Sequence, residues 1–442
     1  MADAIHYFPR SFKWGTATAS HQVEGNNVHS DWWAWEQLPN TIHGGDKSGA
    51  ACDWWGGRYK DDFDLAAEGG QNAHRMSIEW ARVEPRPAIW DEDALQQYRE
   101  ILQALHRRGL EPMVTLCHFC HPQWFTERGG WERADAAHLF ERYVRKVVKT
   151  LSDLVSVWCT LNEPNAFWIS AYVAGVFPPG KTDVRLSQQV NANMYRAHVT
   201  AYHAIHTLQP EAQVGWAMYI RLLDPARPEF APDRWVAKRQ HNIFNDAWAR
   251  ASVDGYLRTV FGRVSAPEGK GALDWIGVNY YTRDMVAFDV SRPRELFGRR
   301  FFNPADELSE TGFIASYPEG LYRALRWANQ FGKPIYVTES GVEDSSDTLR
   351  PRYLLSHLRQ VWRATNFNWP VCGYFHWTLV DNFEWERGWS QRFGLYALDT
   401  ATQQRTPRPS AHLYAEICKS SSISTDMAAR YAPELLETMF PG

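Results

Sequence analysis

Two glutamates sit where apolar runs break into turns. Glu163 follows Val157-Trp158-Cys159-Thr160-Leu161-Asn162 and precedes Pro164, and Glu339 follows Pro334-Ile335-Tyr336-Val337-Thr338 and precedes Ser340-Gly341. Both runs are rich in apolar, β-branched and aromatic residues and end in a turn signal, the pattern of a short buried strand. Each predicted strand therefore delivers a carboxylate to the loop that follows it. Paired carboxylates of this kind suit cleavage of a glycosidic bond, in which one carboxyl protonates the leaving group and the other acts as nucleophile or base. Neither a Cys nor a Ser with an adjacent base offers a better nucleophile. On residue type alone Glu24 and Glu79 compete for the same roles, since both lie near predicted strand ends. Arg82 or another nearby base is the expected structural partner of Glu79.

Strand-like runs near residues 12–19, 73–79, 112–118, 155–162, 213–219, 274–280, 334–339 and 371–378 must position these groups. They alternate with helical patterns near 91–108, 136–151, 185–208, 233–261, 317–331, 349–366 and 409–418. The clearest helix, Ala136–Leu151, places Leu139, Phe140, Tyr143, Val144, Val147, Val148 and Leu151 on one face, with Asp135 as N-cap. Strand–helix units in unbroken order predict an α/β fold with a parallel sheet, closed as a (β/α)₈ TIM barrel. No Gly-rich phosphate loop follows any strand, which counts against an open doubly wound sheet. The expected organisation is a single barrel domain, 1–418, with extended βα loops, followed by a C-terminal linker and short tail helix, 419–442. The linker is Lys419–Thr425 and the amphipathic tail Met427–Phe440. Thr282–Gly312, with Arg292, Arg294, Arg299 and Arg300, reads as one extended βα loop with a solvated charged face.

Barrel sites lie at the C-terminal ends of the strands. The predicted strands place Gln22, Glu24, Arg75, His118, Asn162, Glu163, Asn279, Tyr280, Tyr281, Glu339 and Trp377 at or just past those ends. Acid, base, hydrogen-bonding groups and an aromatic platform together suit a polyhydroxylated substrate. The aromatic load, 22 Trp, 19 Tyr and 22 Phe, has two readings. Core packing accounts for most of it, and stacking of flat sugar faces on indole rings for some. Composition does not separate the two.

The remaining features narrow the class. A net charge of −4 on 442 residues gives no reason to expect nucleic acid or an anionic membrane as partner. No apolar run approaches the ~18 residues of a membrane span. Met1–His6 lacks the basic and apolar regions of a secretory signal, and six cysteines are too sparse for a disulfide scaffold. A cytoplasmic location is therefore expected. Cys117-His118-Phe119-Cys120-His121 matches C-x-x-C-H and brings four metal-capable side chains together in sequence. Strand alternation sends Cys117 and His118 to opposite faces, and no second ligand cluster follows, so neither haem nor metal is expected.

Several motifs in order carry a family resemblance. Phe12-Lys13-Trp14-Gly15-Thr16-Ala17-Thr18-Ala19 leads into Gln22-Val23-Glu24-Gly25; then come Arg75-Met76-Ser77-Ile78-Glu79-Trp80 and Thr160-Leu161-Asn162-Glu163-Pro164. Asn279-Tyr280-Tyr281, Thr338-Glu339, the run Gly373–Trp385 and Arg392-Phe393-Gly394-Leu395 complete the set. Over roughly residues 8–418 the chain resembles the glycoside hydrolase family 1 β-glycosidases. The resemblance implies Glu163 as general acid/base and Glu339 as nucleophile of a retaining double displacement, with the carboxyls about 5–5.5 Å apart rather than the 6.5–9.5 Å of inverting sites. It implies Arg75, Asn279 and Tyr281 beside the nucleophile. It implies Gln22, His118, Asn162, Tyr281, Glu384 and Trp385 on the sugar, with Trp377 beneath the ring.

No cofactor is implied, and the partners are small β-glucosides or oligosaccharides, with galactosides and fucosides as further substrates. The carboxylate at Glu384 disfavours a 6-phosphosugar. Trp124, Trp168 and Phe177 are candidates for the leaving-group side, with loop packing as their other reading. Two places depart from the family pattern: Ser340 stands where Asn is usual, and His118-Phe119-Cys120-His121-Pro122 stands where His-Trp-Asp-Leu-Pro is usual. Both bear on substrate preference rather than on the reaction. A transglycosylating enzyme and a non-catalytic sugar-binding barrel are the alternatives.

Overall fold

The computed structural model describes residues 4–441. Eight parallel strands close into a barrel: β1 (Lys13–Ala17), β2 (Ala73–Ser77), β3 (Glu111–Thr115), β4 (Val157–Asn162), β5 (Gln213–Tyr219), β6 (Trp275–Asn279), β7 (Ile335–Ser340) and β8 (Val371–His376). Every predicted strand is present, in sequence order around the barrel, with β8 pairing β1. The strands are buried almost throughout, as expected of parallel strands with side chains on one face in the barrel and helices over the other. Helices Glu92–Arg107, Ala136–Leu151, Val184–Leu208, Pro318–Asn329, Arg350–Asn366 and Pro409–Ser420 surround them. Their starts follow capping chemistry: the Asp91 carboxylate accepts from Ala94 N at 2.9 Å, and Asp183 accepts from Arg185 N at 2.8 Å. Asp135 departs from expectation. It occupies the N-cap position, but its carboxylate takes the Arg133 guanidinium at 2.6 and 2.7 Å instead of a backbone N–H.

Toward the C-terminal end of the barrel, two strands carry one extra residue each. Along β4, Cys159 to Asn162 faces only Gly215 to Ala217 of β5. Along β7, Val337 to Glu339 faces only Val278 to Asn279 of β6. These are bulges, which re-aim side chains and sharpen the local turn. Both fall immediately before or at the two glutamates.

Three segments differ from the sequence reading. The pattern at 233–261 is not one helix but two, Ala231–Phe244 and Asp246–Asp254, followed by a hairpin of Tyr256–Thr259 and Gly262–Ser265. Gly255, at φ 77°, stops the second helix in the left-handed conformation that glycine adopts without strain. Thr282–Gly312 is not a plain loop. Arg283–Phe288 and Gly298–Phe301 join Leu222–Pro225 in a three-stranded sheet over the barrel mouth's flank.

The segment after Cys418 is not a linker either. The helix runs to Ser420, and Ser422–Ser424 then pairs antiparallel with Ile5–Tyr7. Beyond it the tail forms short turns of helix, Thr425–Tyr431 and Leu436–Met439, whose Met427, Ala428, Met439 and Phe440 are buried in the main core. The His6 ring, stacked 3.7 Å from Trp362 and 4.5 Å from Phe440, joins the two ends of the chain. The ends of the predicted units at residues 1–3 and 442 lie outside the described residues.

Ile423, fully buried in the pairing between chain ends, tests this docking. Ile423→Ala should cost roughly 2–5 kcal/mol in chemical unfolding. A loss under about 0.5 kcal/mol, the range of an ordinary surface change, would mean that the tail is not part of the core.

Candidate active site

The C-terminal ends of β2, β4, β6 and β7 meet around one buried cation. Arg75, with a fully buried side chain, donates to Glu339 Oε1 at 2.5 Å, to Asn162 Oδ1 at 2.6 Å and to the Thr338 carbonyl at 3.2 Å. The Tyr281 hydroxyl donates to Glu339 Oε2 at 2.7 Å, so both oxygens of that carboxylate are held. Asn279 continues the chain of bonds. Its Nδ2 donates to Glu163 Oε1 at 2.8 Å and to Asn162 Oδ1 at 3.1 Å, while its Oδ1 accepts from Thr338 Oγ1 at 2.6 Å. An unbroken network therefore links Glu339 to Glu163 through Arg75, Asn162 and Asn279.

Glu163, Glu339, His118, Tyr281, Trp377, Glu384 and Trp385 line one cleft of about 460 Å³. Arg75, Asn162, Asn279 and Gln22 are fully or almost fully buried. Asn162 Nδ2 donates to His118 Nε2 at 2.9 Å, which assigns the ring proton to Nδ1. Burial and the Arg75 charge push the His118 pKa well down, so the ring is neutral. Gln22 Nε2 donates to the Phe383 carbonyl at 2.8 Å and to Glu384 Oε2 at 3.1 Å. Gln22 Oε1 and His118 Nδ1 are buried without a protein partner, one acceptor and one donor ready for hydroxyl groups.

The backbone is strained here. Glu163 at φ 39°, Phe119 at φ 64° and Trp385 at φ 49° all adopt the left-handed region, and all three line the cleft. Each such conformation costs of order 1–3 kcal/mol and is held by its surroundings. Pro164 at the first helical position begins Pro164–Ile169 directly after Glu163. Gly341 is required behind Glu339, because a Cβ there would collide with the Trp377 carbonyl.

The two glutamates differ in charge environment. Burial, and then the charge of Glu339, push Glu163 well above the usual carboxylate range, opposed mainly by the Asn279 amide. Burial also pushes Glu339 up, but Arg75, Tyr281 and Asn279 pull it back. Two like charges that interact across one cleft resist ionising together. The guanidinium biases the division, favouring the charge on Glu339 and the proton on Glu163. Glu384, partly open to the cleft, is pushed up to about 8 by burial and by Glu386 and Glu339.

Other sequence candidates separate here. Glu24 pairs with Arg82 at 2.7 Å and accepts from the Tyr98 hydroxyl at 2.9 Å, away from the cleft. Glu79 is not the partner of Arg82; it accepts from Ser20 Oγ at 3.0 Å and caps Ala81 N at 3.1 Å. Phe177 lines the cleft, whereas Trp168 faces a different cavity and Trp124 Nε1 bonds the Glu84 carbonyl at 2.8 Å. Ser340 turns away, its hydroxyl 3.2 Å from that of Tyr353. Of the C-x-x-C-H residues, Cys117 Sγ lies 3.6 Å from His121 Nε2, but the set does not gather at one point. His118 enters the cleft, while His121 bonds Asp31 at 2.9 Å through Nδ1 and accepts from Trp131 at 2.8 Å through Nε2.

Sequence reasoning missed the outer walls of the cleft, formed by Arg221, Phe302, Phe313, Glu386 and Gln391. These residues lie on loops, where no periodicity marks them. The only signal was proximity to the motifs around Tyr281 and Trp385.

Comparison with known proteins agrees with this geometry. The family model for glycosyl hydrolase family 1 matches residues 4–423. The chain is 33% identical to a β-galactosidase of Sulfolobus acidocaldarius, over 95% of this chain and 96% of that one. It is 30% identical to β-glucosidase A of Thermotoga maritima, over 95% of this chain and 99% of that one. The solved structure of a β-glycosidase from Pyrococcus horikoshii superposes with a TM-score of 0.91 at 36% identity, covering 97% of this chain and 98% of that one. Barrel, cleft and full-length likeness lead to one conclusion: the chain belongs to glycosyl hydrolase family 1 and is a retaining β-glycosidase.

Proposed function

We propose that Glu339 is the nucleophile and Glu163 the acid/base, and that the substrates are terminal nonreducing β-D-glucosyl residues, with β-galactosides and β-fucosides also accepted. The observation that carries the assignment is the asymmetry of partners. Glu339 faces a buried guanidinium at 2.5 Å and a phenol at 2.7 Å, whereas Glu163 faces a neutral amide at 2.8 Å. A glucosidase relative and a galactosidase relative support the sugar range only as likeness: the Thermotoga maritima protein is described as a β-glucosidase and the Sulfolobus acidocaldarius protein as a β-galactosidase.

The reaction runs in two steps. A Glu339 oxygen attacks the anomeric carbon as Glu163 gives its proton to the glycosidic oxygen, and the bond to the leaving group breaks. Esterified Glu339 no longer carries charge, so the cause of the raised Glu163 pKa is removed. Glu163, now a carboxylate, takes a proton from water as that water attacks the anomeric carbon and frees Glu339. Gln22, His118, Asn162, Glu384 and Trp385 bind the sugar hydroxyls, and Trp377 supplies the platform beneath the ring. Contacts near the 2-hydroxyl from Asn162 tighten in the oxocarbenium-like transition state.

Side chains of the chain carry both steps, so the reaction calls for no cofactor. Burial and mutual repulsion already resist negative charge on Glu384 and Glu386, so a 6-phosphate beside them would add to that cost, which favours uncharged sugars. The partners are small β-glucosides or oligosaccharides. The six free thiols fit a reducing, cytoplasmic setting, and among the described residues no helix is long and apolar enough to cross a membrane.

Two experiments test the roles. A 2-fluoro-2-deoxy-β-glucoside with a good leaving group should label the peptide containing Glu339; labelling of any other carboxylate refutes the assignment. Glu163→Gln should slow glucosides with poor leaving groups roughly 10²–10⁴-fold more than activated aryl glucosides in the glycosylation step. Equal losses for both would remove the acid role.

A further inference from the structure

The helical segment after Glu163 is a wall with two sides. Ala166, Ser170 and Val176 line the catalytic cleft. Trp168, Ile169 and Val173 line a separate cavity, closed on its far side by Leu223, Ile243 and Phe244. This cavity encloses about 90 Å³, against roughly 150 Å³ for one that takes a benzene ring whole. A single aromatic ring would sit partly inside it, with its substituents in the open mouth.

Polar features of the cavity set the chemistry of an occupant. Gln240 is buried, and its Nε2 donates to the carbonyls of Glu295 at 2.7 Å and Gly298 at 3.0 Å. Those two bonds fix which end of the amide is nitrogen. Gln240 Oε1 is then an acceptor with no donor. Arg294 and Arg300 also line the cavity, and among the described residues neither has a carboxylate within 4.0 Å. Glu295, the carboxylate of this lining, is engaged by Arg292 at 2.8 Å. An adjoining hollow shares Ile243 and Val260 and adds Arg239 and Arg263 to the basic rim.

We propose that this cavity is a second ligand site, distinct from the catalytic cleft, for a small aromatic carboxylate that bears a hydroxyl or amino donor. The ring packs on Trp168, Ile169 and Val173. The planar guanidinium of Arg300 or Arg294 matches a carboxylate fork. The donor satisfies Gln240 Oε1, which no protein group reaches. A neutral ring would leave the cations unanswered, and a bare anion would leave the apolar walls exposed.

Calorimetric titration of the full-length protein with 4-hydroxybenzoate tests this. One saturable site is expected, weakened by about 10-fold or more in Arg300→Gln and for the neutral analogue 4-hydroxybenzyl alcohol. Binding should vanish in Val173→Trp, which fills the cavity, with Val184→Phe, from another wall of the same cavity, as a second filling variant should the first fail to fold. Aryl glucoside hydrolysis should stay within about 2-fold in the folded variants, since none of these residues touches the cleft chemistry. Unchanged affinity in a folded cavity-filling variant would place the ligand elsewhere and overturn the proposal. So would equal affinity for the neutral analogue, or no binding up to about 10 mM.

Discussion

A guanidinium with no exposure to solvent sits at the centre of this barrel. Arg75 is buried completely, and a buried charge is tolerated only with a counter-charge and acceptors around it. Glu339 supplies the charge, and Asn162 and the Thr338 carbonyl supply further acceptors. The arrangement draws β2, β4 and β7 together at their C-terminal ends. It also underlies the proposed division of roles: the guanidinium favours charge on Glu339, and Glu163, with only an amide at bonding distance, is left to hold the proton that a leaving group needs.

The geometry that allows this comes from two bulges. A regular strand alternates its side chains between faces, so consecutive residues cannot both serve one site. The extra residue in β4 turns both Asn162 and Glu163 toward the network, and the extra residue in β7 does the same for Thr338 and Glu339. Glu163 completes its turn at φ 39°, a conformation disfavoured for a residue with a side chain. The packing of Pro164–Ile169 and the Asn279 bond hold it there. Strain at this position is thus the local consequence of directing a carboxyl across the barrel mouth.

Much of this was legible in the sequence, for identifiable reasons. Buried parallel strands must be apolar along nearly their whole length, so all the barrel strands stood out, as did the glutamates that interrupt two of them. The bulges did not, because one extra residue leaves composition and periodicity unchanged. Helix after helix was recognisable from its apolar face, yet 233–261 was read as one because its pattern continues past Gly255 into a hairpin with β-branched Thr259 and Val260. Lys419–Thr425 looked like a linker from its serines, but Ile423 packs into the core and its strand finds a partner at the other end of the chain. Trp124 and Trp168 show the limit of reading aromatics: residue type suggests a sugar platform, and only packing reveals which side of a helix faces the cleft.

The central claim is that one proton and one negative charge are divided between Glu163 and Glu339 by Arg75. The direct measurement is a carboxyl carbon-13 NMR titration of Glu163, first in the free enzyme and then with Glu339 trapped as a fluoroglycosyl ester. Free, Glu163 should titrate well above an ordinary glutamate, remaining protonated as pH rises through the usual carboxylate range. Trapped, its pKa should fall by more than about 1 unit, because the charge that raised it has been consumed. An unchanged Glu163 pKa in the trapped enzyme would contradict the account.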